Sequence, residues 1–284
     1  MLRLSTTTDV QQSRGNFTPP VALVPTMGAL HDGHRALFRA ARELAGAEGT
    51  LLVSIFVNPL QFDRPADLAS YPRDIEADLA LCNADGVDAV FFPEPSAFYA
   101  PDHSVTVHES LLSRHLCGPA RPGHFDGVCT VVLKLFHLLR PTDALFGKKD
   151  YQQFAIIRRL VRDLSVPVRI HGVPTVRDPD GVALSSRNRN LRPAHRADAP
   201  RICRSLRAAR DLATCGEQRA DQFLQTARRH LLNDAPPEFR LDYLELVDRE
   251  TLQPMARLTK PALLATAAYY NQVRLIDNIE IDPR

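Results

Sequence analysis

Lysine is scarce in this chain of 284 residues, and neither sign of charge is in excess. Among 35 basic residues only four are lysines, namely Lys134, Lys148, Lys149 and Lys260, and the others are arginines spread along the whole chain. We attribute that bias to codon preference, because it touches every region. With 33 acidic residues the formal net charge is +2. This balance, together with the spread of arginine along the chain, argues against the strongly basic face that nucleic-acid binding needs.

Long apolar runs and paired cysteines are also missing. No segment approaches the roughly 20 consecutive apolar residues of a membrane span, and the first residues contain no apolar core of a leader peptide. The five cysteines are odd in number and form no CxxC pair. We therefore expect a cytoplasmic protein with reduced thiols and no membrane partner.

Strand-like and helix-like segments alternate over residues 1–175. Leu51–Val57 is a continuous apolar run, typical of a strand covered on both faces, and Asp126–Leu139 has apolar residues at helical spacing. Further strands are predicted at Val21–Val24, Val87–Phe92, Ala144–Phe146 and Val168–Val173, and further helices at Arg35–Ala45, Pro72–Ala84 and Tyr151–Leu164. The alternation indicates an α/β domain with a Rossmann-like parallel sheet and covering helices.

The pattern changes in the last part of the chain. Residues 176–284 predict helices at Ala197–Thr214 and Arg219–Leu232, then strands at Leu241–Val247, Ala262–Tyr270 and Val273–Ile276. The alternation of apolar and polar residues in the first of these strands is typical of an antiparallel sheet with one exposed face. We expect a smaller α+β C-terminal domain, which could act as a lid.

The strongest chemical motif lies between the first apolar strand and its helix. Residues 25–34 read PTMGALHDGH, so that His31 and His34 stand at the mouth of the helix in an H-x-G-H spacing. Glycine lets the backbone approach a phosphate here, and a helix N-terminus presents free N–H groups. Two imidazoles can stabilise a triphosphate while charge develops at its α-phosphorus. The motif predicts an ATP site that includes Met27 and Gly28.

This stretch resembles the HIGH motif of the nucleotidyltransferase superfamily, and its wording is similar to that of the pantoate–β-alanine ligase (pantothenate synthetase) family. Other segments match that family in the same order: Phe56–Phe62 (FVNPLQF), Arg121–Val128 (RPGHFDGV), Phe146–Gln153 (FGKKDYQQ), Leu184–Asn188 (LSSRN), Asp242–Asp248 (DYLELVD) and Arg274–Asn278 (RLIDN). The resemblance covers residues 20 to 278.

The resemblance implies a reaction in two steps. ATP and pantoate give an enzyme-bound pantoyl adenylate and pyrophosphate, and β-alanine then attacks the acyl carbon to release pantothenate and AMP. A carboxylate is a poor electrophile, so adenylation supplies the leaving group before the amine arrives. The enzyme contributes proximity and charge stabilisation. His31, His34, Lys149 and Arg187 are implied as the catalytic residues.

Amide side chains are implied as the ligands of the acid substrate. Gln61 and Gln153 match the residues that bind pantoate, and Gln61 also serves β-alanine. Asn58 directly follows a predicted strand, so its amide should reach the same edge, although Asn-Pro is also an ordinary turn. Val131 and Val132 fit either the dimethyl side of pantoate or an ordinary core.

The segment Gly147–Asp150 follows a strand, and the family pattern there is GEKD whereas this chain reads GKKD. The phosphate role is carried over to Lys149 alone, because a mobile ammonium can follow phosphate oxygens better than a planar guanidinium. Lys148, which stands where the family pattern has glutamate, either attracts phosphate or faces solvent. Asp150 matches an ATP-site position and could equally cap the next helix.

The segment Leu184–Arg187 resembles the phosphate loop that other superfamily members write as KMSKS. Ser185, Ser186 and Arg187 can close over the departing pyrophosphate, or the segment is a solvated linker. Val176 corresponds to a backbone contact with adenine, so it joins the ATP-binding set with Leu184.

Three further features carry weaker expectations. Arg121 and His124 stand in a Pro-Gly loop that could guard the cleft or help bind pyrophosphate. Cys117 replaces the family's glutamate, and we expect a buried structural thiol there. Mg²⁺ is expected as the partner of ATP, but its ligands are unknown: Asp78 is a weak candidate and no compact ligand cluster is present. No tightly bound organic cofactor is expected, and the resemblance implies a homodimer.

Other functions stay open. The nearest alternative is another HIGH-motif nucleotidyltransferase acting on a different small acid or on a phosphorylated acceptor. The pair Gln61 and Gln153, without a basic cluster for a phosphorylated acceptor, favours pantoate. A tRNA synthetase is disfavoured by the chain length and the lack of a basic surface. A non-catalytic nucleotide-binding protein is disfavoured because the two histidines are retained together with Lys149 and Arg187.

Overall fold

The computed structural model describes residues 1–63, 65–69 and 71–283. These residues form two compact units. The first comprises Met1–Glu109, Arg121–Lys148 and Ile156–Pro174. The second comprises Ser110–Ala120, Lys149–Ala155 and the described residues from Thr175 onward.

A six-stranded parallel sheet forms the centre of the first unit. Its strands are β1 (Leu2–Leu4), β2 (Val21–Thr26), β3 (Thr50–Ile55), β4 (Ala89–Phe91), β5 (Asp143–Gly147) and β6 (Arg169–Val173). They lie in the order β1-β4-β3-β2-β5-β6, and each neighbouring pair is parallel. Strand order reverses between β2 and β5, and in open parallel sheets ligands bind at the carboxyl ends of strands beside such a reversal.

Helices cover this sheet because their apolar stripes match its buried faces. The helices up to residue 174 are α1 (Thr7–Ser13), α2 (Asp32–Ala45), α3 (Pro65–Ala69), α4 (Ile75–Ala84), α5 (Pro95–Phe98), α6 (His124–Leu139) and α7 (Tyr151–Asp163), with short 3₁₀ turns at Arg14–Asn16, Pro59–Gln61 and Lys148–Asp150. Phe38 and Ala41 of α2 and Leu79 of α4 pack with Val24 and Val53 of the central strands in one apolar cluster.

An antiparallel sheet forms the centre of the second unit. Its strands β7 (Phe239–Asp248), β8 (Ala262–Tyr270) and β9 (Val273–Ile281) lie in that order. Its helices are α8 (Pro193–Asp198), α9 (Pro200–Thr214) and α10 (Ala220–Leu232), and a 3₁₀ turn covers Ser186–Asn190. Leu206, Phe223 and Leu264 belong to one core cluster that joins helices and sheet. The predicted fold class, a Rossmann-like parallel sheet plus a smaller α+β part, is confirmed.

Several helix boundaries differ from the prediction. Helix α2 begins at Asp32 and α6 at His124, three and two residues before the predicted starts. Two other differences have their cause at a capping or proline position. The helix predicted from Pro72 begins at Ile75, because the Asp74 side chain caps it by accepting a hydrogen bond from the N–H of Ala77 at 3.1 Å. The single helix predicted over 197–214 is two helices, since Pro200 lacks the N–H that would continue the first one and instead starts the second. The structure also adds β1 and α1, which were not predicted.

Searching residues 1–63, 65–69 and 71–283 finds no helix long and apolar enough to cross a membrane. All five cysteines lie in the described ranges, and none of them is part of a disulfide there. Burial raises the pKa of the Cys82 and Cys129 thiols to about 12, which makes both unreactive near neutral pH.

Candidate active site

The H-x-G-H histidines cap the helix that follows β2. His31 is the N-cap residue of α2, and its Nδ1 accepts a hydrogen bond from the N–H of Gly33 at 3.1 Å. In return, Nδ1 of His34 accepts one from the N–H of His31 at 3.2 Å. The two ring centroids lie 4.2 Å apart. The pair therefore sits where the helix dipole favours an anion.

The same two hydrogen bonds fix the protonation state of both rings. A backbone N–H can only donate, so each Nδ1 has to accept and carries no proton. Each imidazole is then neutral with its proton on Nε2. The Nε2–H edges of His31 and His34 are the donors that the motif offers to a ligand.

A buried carboxylate shapes the loop between β2 and α2. Asp78 on α4 accepts hydrogen bonds from the N–H groups of Ala29, at 2.9 Å, and Leu30, at 2.8 Å. Gly28 has φ +79°, and a Cβ added there would lie 2.7 Å from Oδ2 of Asp78. Only glycine therefore fits this position. Asp78, the weak metal candidate, binds the backbone with both carboxylate oxygens.

The amide pair after β3 is buried and internally hydrogen-bonded. Asn58 is 1% exposed. Its Nδ2 donates to Oε1 of Gln61 at 3.2 Å and to the carbonyl of Gly127 at 3.0 Å, and its Oδ1 accepts from the hydroxyl of Tyr99 at 3.0 Å and the N–H of Leu60 at 3.3 Å. Both Nδ2 protons are used, so the geometry gives Asn58 a role in holding Gln61.

Gln61 connects the amide pair to the phosphate motif. Its Nε2 donates to Sδ of Met27 at 2.8 Å, so the residue after β3 contacts the loop after β2. Burial raises the pKa of Tyr99 well above its usual range, which keeps that hydroxyl protonated as the donor to Asn58. Tyr99, Asn58, Gln61 and Met27 thus form one chain of side-chain contacts.

The Pro-Gly loop supports Gln61 from its backbone side. His124, at the first turn of α6, is 6% exposed, and its Nδ1 donates to the carbonyl of Gln61 at 2.8 Å. Its Nε2 accepts from Nη1 of Arg121 at 2.9 Å. Gly127 lets α6 approach, since a Cβ there would lie 2.4 Å from the carbonyl oxygen of Leu60. His124 is thus a buried residue that supports the backbone of Gln61, and the cleft or pyrophosphate role of this loop stays a prediction.

The lysine pair follows β5 at the other side of the strand reversal. Gly147 ends β5, and Lys148, Lys149 and Asp150 form a 3₁₀ turn before α7. The Lys149 side chain is 18% exposed, and its Nζ lies 3.6 Å from a carboxylate oxygen of the half-exposed Asp150. The carbonyl of Lys149 accepts a hydrogen bond from Nδ2 of Asn278 at 2.8 Å.

The two adjacent glutamines of α7 differ in their surroundings. Gln152 is buried; its Nε2 donates to the carbonyls of Leu112 and His115, each at 2.8 Å, and its Oε1 accepts from Cys117. Gln153 is only partly buried. Cys117 is likewise only partly buried, which corrects the expected buried thiol, and its Sγ lies 3.1 Å from Oε1 of Gln152.

The segment from Val176 to Arg187 folds as a short hairpin followed by a turn. The carbonyl of Val176 accepts from the N–H of Leu184 at 2.9 Å, and Arg177 bridges to Ala183. The Ser185 hydroxyl caps the following turn by accepting from the N–H of Arg187 at 3.3 Å. Ser186 is partly buried and Arg187 is exposed. The proposed adenine contact and the serines are therefore consecutive parts of one local structure.

The structure brings the predicted residues together as two sets. In the first unit Met27, Gly28 and the histidines share the loop after β2, and contacts link it to Gln61, Asn58, His124 and Arg121. In the second unit Lys149 and Asp150 lie in the 3₁₀ turn before α7, and Gln153 lies on α7. The hairpin and the turn after it carry Val176, Leu184, Ser185, Ser186 and Arg187. Val131 and Val132 are buried on α6. Sequence reasoning missed the supporting role of Asp78 and any role for Asn278, although the family match did include Asn278.

No group of three or more metal-ligating side chains occurs within the part of the chain that the structure describes. Asp78 is committed to the backbone N–H groups described above. The residues present therefore do not form a protein-built divalent metal site, which would require several oxygen ligands.

Comparisons with known proteins match one family over nearly the whole chain. The family model for pantoate-beta-alanine ligase matches residues 3–280. A pantothenate synthetase from Akkermansia muciniphila is 54% identical over 261 residues, which cover 92% of each chain.

Solved structures are similar over nearly the whole length. A pantothenate synthetase from Thermus thermophilus is 43% identical, with a TM-score of 0.92 and full coverage of both chains. A pantoate-beta-alanine ligase from Francisella tularensis, determined in complex with beta-gamma ATP and beta-alanine, is 31% identical with a TM-score of 0.78, covering 98% of this chain and 97% of that one.

Proposed function

The chain belongs to the pantoate–β-alanine ligase family, and from that premise we propose how its residues carry out the reaction. The protein is an AMP-forming ligase that condenses pantoate with β-alanine at the expense of ATP, giving pantothenate, AMP and pyrophosphate. A pantoyl adenylate is the intermediate. We propose that residues 1–175 form the domain that binds nucleotide and pantoate, and that residues 176–284 form a smaller lid domain.

The single observation that carries this proposal is the reciprocal cap of α2. It leaves both histidines neutral, with Nε2–H as donor, at a helix N-terminus. As pantoate oxygen attacks the α-phosphorus, negative charge grows on the phosphate oxygens. His31 and His34 donate to those oxygens, and because both rings are already oriented they need no rearrangement in the transition state. Met27 and Gly28 let the backbone approach the phosphates.

Pantoate carries a carboxylate that has to stay nucleophilic. A neutral amide can orient it without the tight pairing that a cation would impose. Gln61 and Gln153 are proposed as its ligands, and Gln61 also as a contact of β-alanine. Asn58 acts by holding the side chain of Gln61, and His124 with Arg121 acts by holding the backbone of the same residue.

The remaining charge falls on the departing pyrophosphate. Lys149 is the compact cation for the phosphate oxygens, and Arg187 with the hydroxyls of Ser185 and Ser186 completes their neutralisation. Arg187 is exposed in the structure, which suits a side chain that engages only when nucleotide is present. Val176, Leu184, Gly147 and Asp150 complete the ATP-binding set.

ATP enters as its magnesium complex, so Mg²⁺ is part of the substrate, and no tightly bound organic cofactor is needed for this chemistry. A homodimer and a cytoplasmic location belong to the proposal as well. They rest on resemblance to the family and on the sequence composition.

Pyrophosphate release tests the function directly. Mg·ATP is mixed with D-pantoate, with and without β-alanine, and parallel reactions replace pantoate by pantetheine phosphate or nicotinamide mononucleotide. We expect sustained release only with pantoate and β-alanine together. If pantoate supports no release while one of the phosphorylated acceptors does, the protein is a nucleotidyltransferase of another specificity.

A further inference from the structure

The segment Arg274–Asn278 matches the family but takes no part in the mechanism above. Its last two residues lie on β9 and are buried, with Asp277 4% and Asn278 8% exposed. We propose that Asp277 and Asn278 are positioning residues for nucleotide activation, Asn278 by fixing the backbone of Lys149 and Asp277 by fixing the Val176–Leu184 hairpin through Arg177. This inference rests on the proposed role of Lys149 in ATP activation.

Asn278 contacts the main chain of Lys149. Its Nδ2 donates to the Lys149 carbonyl at 2.8 Å, within the 3₁₀ turn that precedes α7. A fixed carbonyl sets the orientation of the peptide plane and hence the direction in which the Lys149 side chain leaves the turn. The ammonium stays mobile, yet its starting point is fixed, as a group that has to meet a phosphate requires.

Asp277 performs the matching task on the hairpin. Its carboxylate accepts two hydrogen bonds from Arg177, at 2.6 and 2.8 Å, and the Arg177 side chain is only 18% exposed. Nη1 of Arg177 also donates to the carbonyl of Gly181 at 3.0 Å, so the guanidinium ties both sides of the hairpin to β9. Such a two-pronged contact fixes geometry better than a single ion pair does.

The two contacts are joined within the dipeptide. Oδ1 of Asp277 accepts a hydrogen bond from the N–H of Asn278 at 2.8 Å. One short stretch of β9 therefore holds both Lys149 and the segment that leads from Val176 to Ser185. Because β9 is hydrogen-bonded to β8 along its length, the stretch is a rigid reference for both elements.

Asn278→Asp is the sharpest variant, because it keeps the size of the side chain and removes the donor. A carboxylate next to the Lys149 carbonyl can only repel it. We expect the rate of pantoate-dependent pyrophosphate release to fall about 10- to 100-fold, with the KM for pantoate changed less than about twofold. Glu280→Gln is the matched control: it lies two residues along the same strand, pairs with Arg249, and should leave the rate unchanged.

A double-mutant cycle separates positioning from simple stability. Asn278→Asp is combined with Lys149→Ala, and both the rate and the calorimetric Kd for Mg·ATP are measured. If Asn278 acts through Lys149, its substitution costs less than about threefold once Lys149 is gone. Equal losses in both backgrounds, or a loss no larger than that of Glu280→Gln, would overturn the inference.

Two further provisions keep a folding defect, and a failure of the proposed function, distinct from a failure of this inference. If Asn278→Asp does not yield folded protein by circular dichroism, Asn278→Ala takes its place in the same cycle under the same criteria. If the wild type binds Mg·ATP but pantoate elicits no pyrophosphate, the proposed function fails, and the cycle in Kd still decides whether Asn278 acts through Lys149.

Discussion

The loop that carries the histidines and the segment that carries Arg187 offer phosphate contacts in opposite ways. The histidine loop is held by a buried carboxylate and a reciprocal helix cap. Arg187 is exposed, and its local support is a serine cap at 3.3 Å. The first region is fixed before substrate arrives, and the second has freedom to adapt.

This difference matches the timing of charge in the reaction. Charge at the α-phosphorus develops within a short-lived transition state, so its donors have to be in place beforehand. Pyrophosphate is a product that has to be held and then released, so its contacts can form and break. Substitutions in the histidine loop should therefore lower both the stability and the rate. Substitutions in the Arg187 segment should lower the rate alone.

The largest effect is expected for His34→Ala. It removes an Nε2–H donor and also the cap on the N–H of His31, so adenylation should fall about 10²- to 10³-fold and stability by about 1 kcal/mol. Pre-steady-state pyrophosphate release and thermal unfolding measure the two effects. His137→Ala, an exposed histidine on α6, is the control. A folded His34→Ala protein with normal adenylation would refute the assigned role.

Arg187→Ala should lower the rate about 10- to 100-fold without changing the melting temperature, because the removed guanidinium is exposed. Arg189→Ala, two residues further along the same exposed turn, should leave the rate within about twofold of wild type. If Arg187→Ala destabilised the fold as much as His34→Ala does, the proposed difference between the two regions would be wrong.

Asp78→Asn tests whether the histidine loop is preorganised by its buried carboxylate. The new amide can accept from only one of the two loop N–H groups and points its own donors at the other. We expect a loss of about 1–3 kcal/mol in unfolding free energy and a rate about tenfold lower. Urea unfolding and steady-state kinetics measure these, with the exposed Glu76→Gln on the same helix as control. An unchanged stability would show that the loop is set by other contacts.

The smallest effect is expected for Lys148→Glu, which restores the family's acidic residue. A change of less than about threefold in rate would fit a partly exposed side chain whose charge is screened by solvent. Lys149→Glu in the same assay should abolish activity. A large loss in Lys148→Glu would instead assign a phosphate contact to that lysine, and the pair would have to be treated as one site.

Local patterns predicted most of the fold and the histidine motif. Continuous apolar runs indicated β2 and β3, and the H-x-G-H spacing placed both imidazoles at the start of α2. Three-residue β1 escaped notice because its stability comes from parallel pairing with β4, which no local pattern records. Pro200 was misjudged because alanine and leucine on both sides of it favour one continuous helix.

In the site, too, local sequence patterns differ from tertiary structure in what they reveal. Asn58 was expected to reach substrate because it follows a strand, and this stays a prediction. In the structure its side chain hydrogen-bonds to the neighbouring Leu60 and Gln61 and to the distant Tyr99 and Gly127. Gln152 and Gln153 have the same side chain, and only tertiary structure distinguishes the buried support from its partly exposed neighbour. Sequence indicates which residue types are present, whereas partners that are distant in the sequence, such as Tyr99 for Asn58 and Leu112 for Gln152, help to decide what each one does.

Formation of the adenylate without β-alanine is the most direct test of the central claim. Wild-type protein at known concentration is mixed rapidly with Mg·ATP and D-pantoate, and pyrophosphate is quantified after acid quench. We expect a burst of about one pyrophosphate per chain that then stops, followed by pantothenate release when β-alanine is added. Absence of any burst until β-alanine is present would contradict it, because no acyl adenylate would then precede the attack of the amine.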